Sequence, residues 1–162
     1  MQSSGGKDLD RGLKKHLSKT FIERNEIMNK EIEIMAKTIY GEARGEYYRK
    51  NGGLKALEAV GHVIMNRSLG TSRPVSSICL QPWQFSCWNK GDPNRKIIEN
   101  ITLDDPIYRI CFVVAKRIIC GELEDITGGA THYYSSSLSK IPYWAKGKKP
   151  ILRIGKHLFF KI

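Results

Sequence analysis

No stretch of this sequence is apolar enough to cross a membrane. The longest uncharged apolar run, Ile110 to Ala115, is six residues, against the ~20 that a spanning helix needs. No basic, then apolar, then small-residue series opens the chain, so no secretory signal is visible. Met1 to Gly6 reads as a flexible polar leader or a cloning scar. Cysteine is scarce, at four residues, and no two stand at C-x-x-C spacing, which argues against a zinc ribbon. Histidine is scattered (His16, His62, His132, His157), with no H-E-x-x-H. G-x-S-x-G, a P-loop, a dinucleotide-binding fingerprint and internal repeats are all missing. The expectation is an enzyme or binding domain with no metal and no cofactor.

What remains is a chain of 162 residues, 41% hydrophobic, with three Trp, seven Tyr and five Phe. That is the size of one domain and too apolar for disorder. The net charge of +11 is uneven. Residues 1–30 carry seven cations and four anions. Residues 140–162 carry seven cations (Lys140, Lys146, Lys148, Lys149, Arg153, Lys156, Lys161) and no anion, which leaves only +1 between. Such a block favours a polyanion: nucleic acid, an anionic surface or an acidic polysaccharide. Cys79 and Cys87 bracket a loop-like segment and are spaced to pair. Cys111 and Cys120 share one helix about 13 Å apart, too far to bond each other, and read as free buried thiols.

Hydrophobic periodicity predicts a mainly helical α+β domain over 26–162, preceded by a polar, basic arm over 1–25. Met28, Ile32, Met35 and Ile39 recur at helical spacing, with Asn25 placed to cap them. Asn51-Gly52-Gly53 breaks the chain, and Leu54, Leu57, Val60 and Ile64 mark a second helix ending near Asn66 or Arg67. Gly61 suits close approach to another helix. Residues 69–100 have no sustained period and read as a long loop. Asp104-Asp105-Pro106 opens a third helix, which Gly121 closes. Ile151 to Ile162 reads as two short strands around Gly155-Lys156, a small antiparallel appendage.

Three places could carry chemistry. The stripe on the first helix continues to Glu42 and Glu46, which sets a carboxyl group among apolar neighbours. Burial there favours its protonated form, the form that protonates a leaving oxygen. Periodicity alone favours the plainer reading, an ion pair with an arginine. Gln81 to Trp88 packs Trp83, Gln84, Phe85, Ser86 and Trp88 into one loop, a mixture that suits sugar rings but also suits a hydrophobic plug. Tyr133, Tyr134 and Trp144 form a third aromatic group.

Read together, four segments resemble the SleB/CwlJ-type cell-wall hydrolases, the spore-cortex-lytic family. They are Ala36 to Glu46 with Tyr-Gly-Glu-Ala-Arg-Gly-Glu, Ala59 to Arg67, Cys79 to Trp88 with Gln-Phe-Ser-Cys, and Thr127 to Tyr134 followed by Trp144 and Ile154 to His157. The resemblance covers about residues 31–162. It implies a lysozyme-like single domain acting on peptidoglycan glycan strands in the bacterial envelope. It also implies lytic transglycosylase chemistry, although the family has been labelled amidase too. The family's catalytic acid falls on Glu42, with Glu46 in a supporting role. Trp83, Gln84, Phe85, Ser86, Tyr133, Tyr134 and Trp144 are the expected substrate contacts. The sequence departs from the family at Trp83, where a small residue is usual, at Ser135-Ser136, and at Phe160.

The implied route has Glu42 protonate the bond between N-acetylmuramic acid and N-acetylglucosamine, forming a 1,6-anhydro sugar. Simple muramidase hydrolysis and an amidase are the alternatives within this family. A non-catalytic basic module for glycan or nucleic acid is the alternative outside it. A monomer with no nucleic-acid partner is expected.

Overall fold

The computed structural model describes residues 5–162, with side chains from residue 9 onward. Of the polar leader, Met1 to Ser4 lie outside the described residues. Helix α1 (Gly5–Tyr47) is unbroken through Asn25, so the expected arm and first helix are one element about 65 Å long. Asn25 caps nothing. A mid-helix asparagine costs only a fraction of a kcal/mol, and no proline or paired glycine interrupts the run. The stripe does face the core, but only from Ile32. Met28 is 40% exposed, while Ile32, Met35, Ala36, Ile39 and Ala43 are buried. The domain begins one turn later than the stripe.

Helices α2 (Leu54–Thr71) and α5 (Pro106–Ile119) pack on the buried half of α1. Gly61 stands where the three meet. A Cβ there would lie 2.5 Å from Ile118 Cδ1 and 3.2 Å from Ile39 Cδ1, so only hydrogen allows this approach. Helix α2 runs four residues past its expected end and closes on Ser72 in the left-handed conformation. Helix α5 starts as expected. The Asp105 carboxylate accepts from the N–H groups of Ile107 and Tyr108, at 2.9 Å each, with Pro106 at the first turn.

Residues 69–100 are not a loop. They hold α3 (Val75–Cys79), a 3₁₀ turn (Ser86–Trp88) and α4 (Pro93–Asn100). Helix α3 is too short for a period to show. Helix α4 buries only Ile98, and its start is fixed by Asp92 capping Asn94 N–H at 2.8 Å.

Strands β1 (His132–Ser135), β2 (Leu152–Ile154) and β3 (His157–Phe160) form an antiparallel sheet in the order β1-β3-β2. Tyr133 pairs with Phe159, and Ile154 with His157. Alternation sends Phe159 and Ile154 inward onto Ala56, Ala59 and Val63 of α2. The turn between β2 and β3 is tied to α1. Lys156 N–H donates to Glu46 Oε2 at 2.8 Å, and Arg49 Nε donates to Oε1 at 2.8 Å. Gly155, at φ 55°, leaves no room for a Cβ beside that carboxylate. Burial pushes the Glu46 pKa up. The Lys156 N–H, the Arg49 guanidinium and nearby His157 outweigh it, for a net fall.

The expected Cys79–Cys87 bridge is not formed: all four cysteines are free. Each thiol of that pair is committed to α1 instead. Cys79 is buried beside Thr38, and the Cys87 side chain packs on Gly41. Burial pushes the Cys79 thiol up to about 12 and Cys87 up as well. Cys120, expected buried, is exposed because α5 ends at Ile119. Among the described residues no helix is long and apolar enough to cross a membrane.

Two outcomes follow from this packing. Gly61→Leu should destabilise the domain by at least about 1–3 kcal/mol through overpacking, seen as a fall of several degrees in Tm by circular dichroism. Glu46→Gln should cost about 1–3 kcal/mol at neutral pH. A carboxylate with a lowered folded pKa stabilises above its unfolded value near 4.3 and loses that contribution as pH falls. His157, whose pKa burial lowers further than Glu46 raises it, adds a loss below about pH 6.5. Chemical denaturation against pH should show stability falling into acid, with a flatter curve below about pH 5 in Glu46→Gln.

Candidate active site

Glu42 stands one turn before Glu46 on α1 and is half-buried. Two donors from distant parts of the chain converge on it. The Tyr133 hydroxyl, from β1, donates to Oε2 at 2.9 Å. The Cys87 backbone N–H, from the 3₁₀ turn, donates to Oε1 at 3.3 Å. Gly41 makes the second contact feasible, because a Cβ there would lie 2.6 Å from Cys87 Cβ. The turn is pinned to α1 by Trp88, whose Nε1–H donates to Thr38 Oγ1 at 2.9 Å.

Arg67, at the polar end of α2, braces the same corner. Its Nε donates to the Thr131 carbonyl, its Nη1 donates to Gln84 Oε1 at 3.2 Å, and its guanidinium lies over the Phe85 ring at 5.2 Å. Burial lowers its pKa, and the nearby Tyr133, Cys79 and Glu42 oppose that fall. Burial also raises the Tyr133 phenol well above its ordinary value, and the Glu42 charge raises it further. Tyr133 is therefore a donor at every physiological pH.

The expected site residues divide. Glu42 and Tyr133 meet directly. Gln84 and Ser86 are exposed on the segment that delivers Cys87 N–H. Phe85 is 2% exposed, so it supports that segment from the core and offers no face to a sugar. Tyr134 and Trp144 are not brought to Glu42. Strand alternation turns Tyr134 to the opposite face of the sheet from Tyr133, where it stacks on Phe160 and meets Trp144 edge-on at 5.8 Å. Trp83 is 82% exposed at φ 66°. Glu46 does not share a site with Glu42, since both its oxygens are taken by the hairpin turn and Arg49.

Two groups at the Glu42 corner escaped sequence reasoning. Arg67 lies in a quoted motif, but only the fold shows that it reaches Gln84 and Thr131. The Cys87 donor is a backbone group, on which side-chain identity is silent. Among the described residues no cluster of three His, Cys, Asp or Glu is placed to hold a metal ion. A hollow of about 380 Å³ between α2 and α5, lined mainly by apolar side chains such as Leu54, Ile110, Val113 and Leu123, includes none of Glu42, Arg67, Cys87 and Tyr133.

The chain is 32% identical over 133 residues to a spore cortex-lytic enzyme of Halalkalibacterium halodurans, covering 80% of this chain and 34% of the relative. It is 30% identical to one from Bacillus cereus, covering 81% and 44%. The chain thus spans less than half the length of these curated relatives. The crystal structure of the catalytic domain of Bacillus cereus SleB superposes with a TM-score of 0.57 at 28% identity, covering 81% of this chain and 89% of that one. The catalytic domain of the germination-specific lytic transglycosylase SleB from Bacillus anthracis gives the same TM-score, covering 81% and 93%. The Cell Wall Hydrolase family profile matches residues 52–160, a span that leaves out Glu42 but holds both donors that grip it. By that match and these relatives, the chain belongs to the cell wall hydrolase family.

Proposed function

We propose that this domain cleaves peptidoglycan glycan strands in the bacterial envelope as a lytic transglycosylase, with Glu42 as the one general acid and base. The observation that carries this reading is that, among the described residues, no second acid shares the hydrogen bonds of Glu42. Its hydrogen-bond partners are a phenol and an amide. The adjacent Glu46 is consumed by the hairpin turn, and Asp92 caps α4. Glycosidases that hydrolyse with water use two carboxyl groups flanking the bond. An internal nucleophile removes the need for the second.

In the proposed route, Glu42 gives its proton to the oxygen linking N-acetylmuramic acid to the next N-acetylglucosamine. The C1–O bond breaks through an oxocarbenium-like state. The muramyl 6-hydroxyl then bonds to C1 and returns its proton to the Glu42 carboxylate, closing the 1,6-anhydro ring. A carboxylate offers about four lone-pair sites, so the two donors orient Glu42 and still leave room for substrate. Holding the side chain in one rotamer serves both steps, because the same oxygen must reach the leaving group and then the nucleophile. The bias to cations over 140–162 supports attraction to a wall strand carrying muramyl-linked carboxylates. The name of the Bacillus anthracis neighbour supports the same chemistry. An amidase of the usual zinc type needs ligands to activate water, and the described residues do not cluster to supply them.

Mass spectrometry of digested peptidoglycan separates the outcomes. 1,6-Anhydromuramyl ends support the transglycosylase, ordinary reducing ends point to a muramidase, and released stem peptides point to an amidase. Glu42→Gln should lower turnover by about 10²–10⁴-fold while the domain stays folded by circular dichroism, with Tm lowered by no more than a few degrees. Tyr133→Phe removes one donor to a charged group, worth about 1.5–3 kcal/mol, so kcat should fall roughly 10- to 100-fold with KM little changed.

A further inference from the structure

We infer that Trp83 is a stacking platform for a sugar ring of the bound glycan, an added subsite beside the Glu42 centre; this rests on the glycan-cleaving function proposed above. The local geometry is the starting point. Gln84 N–H donates to the Gln81 carbonyl at 3.2 Å, closing a tight turn with Pro82 second and Trp83 third. Pro at the second place and a positive φ at the third are the marks of a type II turn, whose third place calls for glycine. Here that place holds the bulkiest side chain, at φ 66°. A non-glycine residue in the left-handed region costs about 1–2 kcal/mol.

Packing does not offset this cost, because the Trp83 side chain is 82% exposed. The strain persists because the flanks are over-determined. Gln81 Oε1 accepts from Arg73 Nη1 at 2.7 Å, and Gln84 Oε1 accepts from Arg67 Nη1 at 3.2 Å. Phe85, 2% exposed, plugs the core beneath. Two arginine clamps and a buried anchor thus hold one indole out in water on a fixed turn. Backbone strain kept by its surroundings is a feature of ligand-gripping positions.

Position selects the ligand. Trp83 is four residues from Cys87, whose N–H holds Glu42, so the chain between them spans at most about 14 Å. A glycan strand cut at Glu42 extends in both directions, and its next rings fall within that reach. A pyranose offers an apolar C–H face to an aromatic plane and hydroxyl or acetamide groups to the exposed Gln84 amide alongside. An indole with one apolar face and one N–H donor suits such a ring.

The test compares wild type, Trp83→Gly and Trp83→Tyr in kinetics on isolated glycan strands, with fluorescence titration by N-acetylglucosamine oligomers. Trp83→Gly relieves the turn, so its Tm should equal or exceed that of wild type, which separates binding from folding. On long strands kcat/KM should fall roughly three- to tenfold, the equivalent of one aromatic contact. The loss should be carried mainly by KM, and Trp83→Tyr should recover most of it. Oligomers should shift wild-type emission, and the shift should vanish in Trp83→Gly, since Trp88 is tied to Thr38 and Trp144 packs on the sheet. Unchanged KM and an unchanged titration in Trp83→Gly, with Glu42→Gln inactive, would overturn the subsite while leaving the proposed function standing. Wild type that neither cleaves strands nor responds to oligomers would overturn both. A response to oligomers without cleavage would support the subsite and remove only the enzymatic reading.

Discussion

The grip of Glu46 on the turn between β2 and β3 is the contact on which the site depends. One buried carboxylate accepts from the Lys156 N–H and from Arg49, and Gly155 makes space for it. This fixes the turn between β2 and β3 against α1. The register of the sheet does the rest. Tyr133 pairs with Phe159, Phe159 is buried on α2, and the Tyr133 hydroxyl is thereby delivered to Glu42, one turn back along the same helix. Two glutamates four residues apart therefore divide the labour. One is spent on holding the hairpin, and the other stays available for chemistry.

The opposite side of Glu42 is built by different means. No strand or long helix reaches it. A short turn is pressed onto α1 at Gly41, anchored by the Trp88–Thr38 hydrogen bond and by Phe85 under Arg67. Because the donor there is a backbone N–H, its position depends on the packing of the whole turn rather than on one rotamer. Arg67 links the two sides: it bonds Thr131, beside β1, and Gln84, beside the turn. A single half-buried cation thus couples the two segments that supply the donors, and the Glu42 charge nearby opposes the fall that burial imposes on its pKa.

The exposed half of α1 shows how a correct pattern can be read one step too far. Leu13, Leu17, Phe21 and Met28 are on the outside, although helical spacing aligns them with Ile32, Met35 and Ile39. Periodicity reports which face of a helix is apolar. It does not report where the neighbouring helices end. The region after α2 failed in the opposite sense. Helices of five and eight residues are too short to show a period, and the capping pair Asp92-Pro93 marks only the second of them. The Cys79–Cys87 pairing failed because proximity along the chain says nothing of where each thiol is turned.

By itself the sequence determined the helical faces of α1, α2 and α5, the Asp105 cap, the strand pair around Gly155, and the place of Glu42 at the end of an apolar stripe. All of these depend on local spacing or on a motif. Tertiary structure alone decided which side chains share a site. It parted Tyr133 from Tyr134 by strand alternation, buried Phe85, gave Glu46 to the hairpin, and brought a phenol, a backbone amide and an arginine from three segments around one carboxylate. The physical reason is that hydrogen bonds are directional and short, and their partners here lie 45 and 91 residues from Glu42. No periodicity in the chain encodes a distance of that kind.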